Sequence, residues 1–203
     1  MFKPLIPFLD YRLTKHHELY SGQCKSENWE ENLCWALKQA GYGSDWKPDY
    51  NHGIGIDQTT DSGIRISNKG GKVEKDYVVI SGSRLTKHKT IDDKINFLSE
   101  KTHDYIFCLA TEKNEWDKGI KRYYFIVIDS DKLRYHEQRW EETYGEKGRY
   151  KGKVDGWKCL CEIFSAKIVK SMSDQLWTTV KLDYCEEIHE ITIGRLSENS
   201  TNT

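Results

Sequence analysis

The sequence has little proline, no long apolar run and no surplus of either charge. Three prolines in 203 residues, with no low-complexity tract, exclude a disordered or linker protein. The longest apolar run, residues 123–128, is far shorter than the roughly 20 residues of a spanning helix, so a membrane-spanning role is excluded and no membrane partner is expected. The 31 basic and 32 acidic residues nearly cancel, which excludes a uniformly basic coat protein that binds nucleic acid of any sequence.

The six cysteines form no CxxC pair and have no histidine partners at zinc spacing. Most of them lie in apolar segments, where a free thiol behaves as a small hydrophobe. The apolar N-terminus, Met1–Leu9, contains two prolines and no small-residue cleavage site follows it, so we interpret it as a packed arm rather than a signal peptide. These features predict a reduced, cytoplasmic protein.

Aromatic residues supply much of the expected core, because seven Trp, twelve Tyr and six Phe bring a large area per buried side chain. Apolar residues recur at helical spacing between Ser26 and Ala40, just before Gly41. They recur again from Thr90 to Leu98, where a threonine cap and two acids begin the segment. Both patterns predict helices.

Short strand patterns fill most of the rest of the sequence. Strands are predicted at Ile54–Asp57, Gly63–Lys69, Tyr77–Ser81, Tyr105–Ala110 and Tyr123–Asp129, with further candidates at Trp157–Phe164 and Ile188–Ile193. Turns are predicted at Gln58–Ser62 and Gly70–Lys72. We therefore expect an α/β or α+β fold in a single domain, 1–203, with helices against a sheet.

Asp57 and Lys69 are the candidate catalytic pair. Two adjacent strands joined by a short turn can bring the carboxylate and the amine to the same end of a sheet. There the carboxylate can hold a divalent metal, while the amine positions a water and offsets phosphate charge, as phosphodiester hydrolysis requires. The alternative from spacing alone is a hairpin with one surface aspartate and one surface lysine.

Several short blocks around this pair resemble a known enzyme family. They are His52-x-x-Gly55-x-Asp57, Ser67-x-Lys69-Gly70-Gly71 and Ile80-Ser81-Gly82-Ser83-Arg84-Leu85-Thr86, preceded by a helix with Trp29-Glu30-x-x-Leu33. In this order they resemble small type II restriction endonucleases of the PD-(D/E)XK nuclease superfamily, over residues 26–110. The competing literal match, Pro48-Asp49, is discounted because it lies in a loop far before Ser67.

The resemblance implies a restriction-endonuclease-like domain with a central mixed β-sheet flanked by helices and a catalytic core at about residues 26–130. It also implies Mg²⁺ as cofactor, double-stranded DNA as substrate and a homodimer that matches a palindromic site. A cognate DNA methyltransferase follows by the same analogy. In these roles Asp57 is the principal metal ligand and Lys69 positions the water.

One position departs from the family pattern, because Ser67 stands where the second metal carboxylate is usual. Glu30 is the first candidate to replace it, directly or through water, followed by Glu31 and Asp61. Glu30 shares the helical stripe of apolar residues, where an unpaired carboxylate is costly; the alternative is an exposed first-turn acid. Two further interpretations are that Ser67 itself contacts the metal weakly or through water, and that the site has lost its activity.

The segment after the third predicted strand is the candidate DNA contact. From Arg65 to Lys89 there are seven Lys/Arg against two acids. The candidate DNA-binding residues are Ser81, Ser83, Arg84, Thr86, Lys87, His88 and Lys89. An arginine or lysine here can bind guanine acceptors while hydroxyls and amines bind phosphates. The alternative is a solvated, lysine-rich loop that caps the next helix through Thr90.

A second basic stretch, residues 132–153, carries seven Lys/Arg against four Glu between aromatic residues. It is interpreted as a second DNA-facing or dimer-forming element, with an ordinary amphipathic surface as the alternative.

The sequence thus predicts a type II restriction endonuclease that cuts duplex DNA site-specifically with Mg²⁺. The alternatives are a repair or structure-specific nuclease of the same fold, a catalytically silent DNA-binding module, and a protein unrelated to nucleic acid whose motifs match by chance.

Overall fold

The computed structural model describes residues 1–24, 26–44, 56–100, 102–112 and 121–193. Its helices are α1 (Ile6–Leu19), α2 (Ser26–Gln39) and α3 (Ile91–Ser99). Its strands are β1 (Gln58–Thr59), β2 (Arg65–Glu74), β3 (Tyr77–Arg84), β4 (Tyr105–Glu112), β5 (Arg122–Asp129), β6 (Glu141–Tyr144), β7 (Val154–Leu160), β8 (Phe164–Val169), β9 (Gln175–Lys181) and β10 (Glu187–Thr192). Within these ranges, no helix is long and apolar enough to cross a membrane.

The strands form a ten-stranded mixed sheet, so the predicted α/β class is confirmed at that level. The strand order is β10-β5-β4-β2-β3-β9-β8-β7-β6, and β1 pairs with the start of β2. β2 and β4 run parallel, whereas the other paired strands of the described residues are antiparallel. The parallel pair is possible because β3 and α3 provide the long connection that parallel strands need.

Two apolar cores lie on opposite faces of the sheet, as the alternation along β4 shows. Phe107 and Leu109 belong to the first core, which α1 and α2 cover with side chains such as Trp29. Ile106 and Cys108 belong to the second core, which also contains side chains from β3, β7, β8 and β9. This second core is covered by α3 and by the segment after β5. The continuous apolar sequence of β4 and β5 thus reflects burial on both faces.

The two predicted helices are confirmed. α2 buries Trp29, Leu33 and Leu37, as their helical spacing predicts. α3 begins at a capping box in which the Thr90 hydroxyl accepts from the Asp93 N–H and the Asp93 carboxylate accepts from the Thr90 N–H. Each partner satisfies a main-chain group that the first turn leaves open.

The two predicted turns are wrong in part. Gly70–Lys72 lies inside β2 and is not a turn. A Cβ at Gly71 would come 2.6 Å from the Sγ of Cys108 on β4, so glycine here allows the two strands to pack closely. Gln58 and Thr59 form β1 and pair with Ile66 and Arg65. The predicted strand Ile54–Asp57 falls largely outside the described residues, and the paired strand begins after it.

The N-terminal arm is packed but helical. Leu5, Leu9 and Leu13 are buried against the first core, and Pro7 lies in the first turn of α1, where a missing N–H costs nothing. In the C-terminal part the predicted strand Trp157–Phe164 is two strands, β7 and β8, and Ile188–Ile193 corresponds to β10. β6 and β9 carry no prediction.

Candidate active site

β2 has an interrupted edge, and the candidate site lies there. β4 pairs along one edge from Ile66 to Val73. On the other edge, β1 pairs with the first two residues and β3 pairs only from Gly71 onward. Among the described residues, 67–70 therefore have no strand partner on that edge, and their main-chain groups need other partners.

The Asp57 carboxylate occupies this gap. Its Oδ2 accepts a hydrogen bond from the Asn68 N–H at 2.5 Å and from the Ser67 hydroxyl at 3.2 Å. The Lys69 Nζ lies 3.5 Å from the same oxygen and donates to the Asn68 carbonyl at 3.0 Å. The structure therefore brings Asp57, Ser67 and Lys69 together, as predicted, but Lys69 lies in the middle of β2 rather than at a strand end, and Asp57 precedes β1.

The pair is partly sheltered and partly accessible. Ser67 is fully buried, whereas the side chains of Asp57 and Lys69 are 26% and 24% exposed. Oδ2 accepts two hydrogen bonds and lies beside the Lys69 ammonium group, while Oδ1 accepts no hydrogen bond from the described residues. This arrangement fixes the carboxylate and leaves one oxygen for a further ligand.

A cavity of about 360 Å³ opens beside this pair, on the face of the sheet that carries the second core. Ser67 and Lys69 form part of its wall, and Ser81 and Ser83 approach from β3. The end of α3, the segment before β4, residues 130–137 and β9 complete the lining. A sheltered volume next to a charged pair is the usual form of a small-molecule or catalytic site.

His103 also lines this cavity, although it belongs to none of the sequence motifs. It arrives there because Asp104 is tied to the start of β2: its carboxylate accepts from the Arg65 N–H and guanidinium at 2.8 Å, and its N–H donates to the Arg65 carbonyl. Burial, and next the positive charge of Lys69, lower the pKa of His103 to about 4, against the opposing charges of Asp57 and Asp104. The imidazole is therefore neutral at pH 7.

The pKa of His103 should report the charges of its neighbours. We expect it to rise in Lys69→Met, which removes a positive charge, and to fall further in Asp57→Asn, which removes a negative one. The pKa of His103 in the folded protein lies below the unfolded value near 6.5. The free energy of unfolding is therefore unaffected by this group above pH 6.5 and decreases as the pH falls from 6.5 towards 4, by up to about 3 kcal/mol. NMR titration of the imidazole checks both shifts, and opposite directions would contradict this geometry.

The main chain of Glu30 contacts the start of β1. The buried Gln58 side chain donates to the Glu30 carbonyl at 2.8 Å and ties α2 to the residue that follows Asp57. The Glu30 side chain is half-buried. No group of three or more His, Cys, Asp or Glu side chains able to hold a metal occurs in the described part of the chain.

The other candidate acids lie in different surroundings. Glu31 is exposed and lies 3.8 Å from the Arg12 guanidinium. Asp61 is exposed above Gly43, where a Cβ would meet its carboxylate. His52, Gly55 and the Pro48-Asp49 dipeptide lie outside the described residues.

The candidate DNA segment divides into three parts. Ser81 and Ser83 lie in the last part of β3 and line the cavity, while Leu85 is buried just after the strand. The exposed members are Ser83, Arg84, Thr86, Lys87 and Lys89. The His88 ring packs on Phe97 of α3, with 4.5 Å between the ring centroids. The structure thus presents the cationic members at the surface and gives His88 a packing contact.

In the stretch 132–153, the Tyr135 side chain is buried and its hydroxyl lies 2.8 Å from the Thr178 hydroxyl. Tyr144 is 59% exposed on β6.

A scan of protein-family models finds none that matches this sequence, and a search of the curated proteins finds no significant match. The family resemblance of the sequence blocks stays a prediction, and a function has to be inferred from the site itself.

Proposed function

We propose that this protein is a Mg²⁺-dependent endodeoxyribonuclease that hydrolyses phosphodiester bonds in double-stranded DNA. The observation that carries the proposal is the Asp57–Ser67–Lys69 cluster at the interrupted edge of β2. A fixed carboxylate whose second oxygen accepts no hydrogen bond from the described residues, an ammonium group beside it and a sheltered cavity supply what metal-assisted phosphate hydrolysis needs.

The donor set fits a hard divalent cation of the magnesium type. Mg²⁺ is usually held by one or two carboxylates together with waters and substrate phosphates. Oδ1 of Asp57 would be the principal ligand, and Glu30, on the neighbouring α2, would contribute directly or through water. When bound, the cation polarises the scissile phosphate and stabilises the leaving oxygen.

The chain's own residues would then orient the reaction. The Ser67 hydroxyl and the Asn68 N–H hold the Asp57 carboxylate in one position. Lys69 would place the attacking water and offset negative charge that develops on the phosphate. The neutral His103 would accept hydrogen bonds in the same cavity without adding a second positive charge.

Within this proposal, we assign the protein to the restriction type: a cytoplasmic, homodimeric, restriction-endonuclease-like domain that cuts at a short specific site and is paired with a DNA methyltransferase. The order and spacing of the blocks around Asp57, Lys69 and Arg84 favour this class. A repair or structure-specific nuclease is the second candidate, and Ser67, in place of a second acid, favours a silent DNA-binding module as the third.

Digestion of mixed-sequence phage and plasmid DNA, in methylated and unmethylated forms, tests the proposal. We expect Mg²⁺-dependent fragments whose sequenced ends share one short motif. Cleavage that follows branches or gaps instead would favour the repair class. Specific binding that is insensitive to divalent metal, without cleavage, would favour the silent module.

The exposed cations after β3 should contribute to DNA binding mainly through phosphate contacts. Each of Lys87→Ala and Lys89→Ala is expected to weaken binding to all sequences alike and to reduce the slope of log K against log salt by about 1. Arg84→Ala should instead lose about 1–3 kcal/mol of discrimination if the guanidinium binds a guanine. Fluorescence anisotropy at several salt concentrations measures both effects. Unchanged slopes in all three variants would exclude this segment from the interface.

A further inference from the structure

Hydrogen-bonding groups lie on and just behind the wall of the cavity beside Lys69. The Ser130 hydroxyl is buried and has no hydrogen-bond partner among the described residues. The Tyr135 and Thr178 hydroxyl groups form one hydrogen bond of 2.8 Å with each other, and this bond uses only one of their two hydroxyl hydrogens. The hydroxyl side chains of Ser81 and Ser83 also line the cavity, so a ligand there meets polar groups on its wall.

Apolar and aromatic side chains form much of the remaining wall. Phe97, Leu98, Ile106, Leu133, Tyr135 and Leu176 all line the cavity. A ligand that fits here needs apolar faces as well as polar edges, and the volume of about 360 Å³ lies in the range of small-molecule sites. Planar heteroaromatic rings combine these two properties.

The charged side chains around the cavity carry a net charge of −1, which does not favour an anion. Lys69 and Arg134 contribute positive charge, while Glu100, Asp131 and Glu137 contribute negative charge. Arg134 is moreover paired with Glu137 at 3.1 Å. A free phosphate or a nucleotide's phosphate chain is therefore a poor occupant of the interior, whereas an uncharged ring is a suitable one.

We propose that this cavity binds a single nucleobase of the DNA substrate, turned out of the double helix next to the phosphate that is cut. The inference rests on the proposed function, which places that phosphate at Asp57 and Lys69. The part of a DNA chain attached to this phosphate is a nucleoside, and Lys69 belongs both to the charged pair and to the cavity wall. Turning the base out loses a few kcal/mol of stacking and pairing energy, and contacts in the pocket must compensate for this loss.

The first test uses duplexes carrying 2-aminopurine at each position flanking the cleaved phosphate, with the full chain in EDTA so that the DNA stays intact. We expect the fluorescence to rise at one flanking position when the protein binds, because the base leaves the stack. Ser130→Phe, which fills the cavity, should abolish the rise. Ser171→Phe, at an exposed position outside the cavity, should retain it.

The second test measures binding of the four free deoxynucleosides to the protein, with deoxyribose as the ligand that lacks a base. We expect at least one deoxynucleoside to bind and deoxyribose not to bind. Ser130→Phe should weaken the binding at least ~10-fold, since a filled pocket excludes the ring. If Ser130→Phe fails to fold, Ser83→Trp at the exposed mouth of the cavity replaces it in the deoxynucleoside test, which involves no DNA contact.

The outcomes separate this inference from the proposed function. Mg²⁺-dependent cleavage without any fluorescence change overturns the nucleobase pocket and leaves the nuclease proposal standing. Deoxynucleoside binding that the filled cavity abolishes, in a protein that cuts no DNA, overturns the nuclease and the turned-out base with it, and shows a nucleoside site of another function. Absence of cleavage together with absence of deoxynucleoside binding overturns both.

Discussion

Asp57→Asn and Lys69→Met are each expected to lower the rate of Mg²⁺-dependent DNA cleavage by about 10²–10⁴-fold. Asparagine keeps an oxygen that can accept from the Asn68 N–H, but it loses the charge that holds a cation. Methionine keeps the length of Lys69 and loses its ammonium group. Single-turnover cleavage of a short duplex that contains the mapped site measures both effects.

The same two side chains also satisfy the open edge of β2, so loss of activity has to be separated from loss of structure. The Asn68 N–H and carbonyl are bonded by Asp57 and Lys69 respectively. Urea unfolding of each variant provides this separation, since a purely structural role predicts lowered stability with a proportionate loss of active protein. Lys72→Met and Asp76→Asn are matched controls at exposed positions on the same strand and the next turn. Variants that fold normally and cleave within twofold of the wild type would exclude the pair from catalysis.

The contact between Asp57 and Lys69 could be predicted because it is local in sequence. β1 and β2 are joined by a short turn, and antiparallel neighbours so connected have a nearly fixed register. The same holds for α3, whose cap and first-turn acids are contiguous with its apolar stripe. Local patterns of this kind determine structure without reference to the rest of the chain.

The position of His103 could not be predicted in this way. It reaches the site because β4 lies parallel to β2, with Ile66 opposite Tyr105, and this pairing depends on a long connection. β9 likewise inserts beside β3, with Val78 opposite Val180, although no signal near either strand specifies the partner. The cavity lies where these distant segments meet, so its existence follows from tertiary packing rather than from any motif.

The glycines of β2 were wrongly predicted to form a turn, for a related reason. Gly70-Gly71 is a turn signal by composition, but in the folded chain it allows β2 to pass close to Cys108 on β4. The neighbour that requires a small residue is about 40 positions away, so only the assembled sheet reveals the requirement.

Lys94→Met is expected to lower the free energy of unfolding by about 3 kcal/mol, the largest stability effect of a single polar side chain that we predict. The Lys94 side chain is 2% exposed on α3. Its ammonium group lies 3.3 Å from the Asp174 carboxylate and donates to the His88 carbonyl. The substitution leaves both acceptors without this partner. Urea unfolding checks the value, and Lys89→Met, at an exposed position nearby, should change stability by less than about 0.5 kcal/mol.

Lys94 should also affect DNA binding without touching DNA, because it holds two segments in place. Asp174 has a left-handed backbone in the turn before β9, and its carbonyl accepts from the Leu85 N–H. Lys94 therefore joins this turn to the segment that carries Lys87 and Lys89. We expect Lys94→Met to weaken DNA binding even under conditions where the variant is fully folded. Adding Asp174→Asn should recover part of the stability, because the carboxylate left without its cation is then removed. A Lys94→Met variant as stable as Lys89→Met, with unchanged DNA affinity, would show that the buried ammonium group neither supports the fold nor positions this segment.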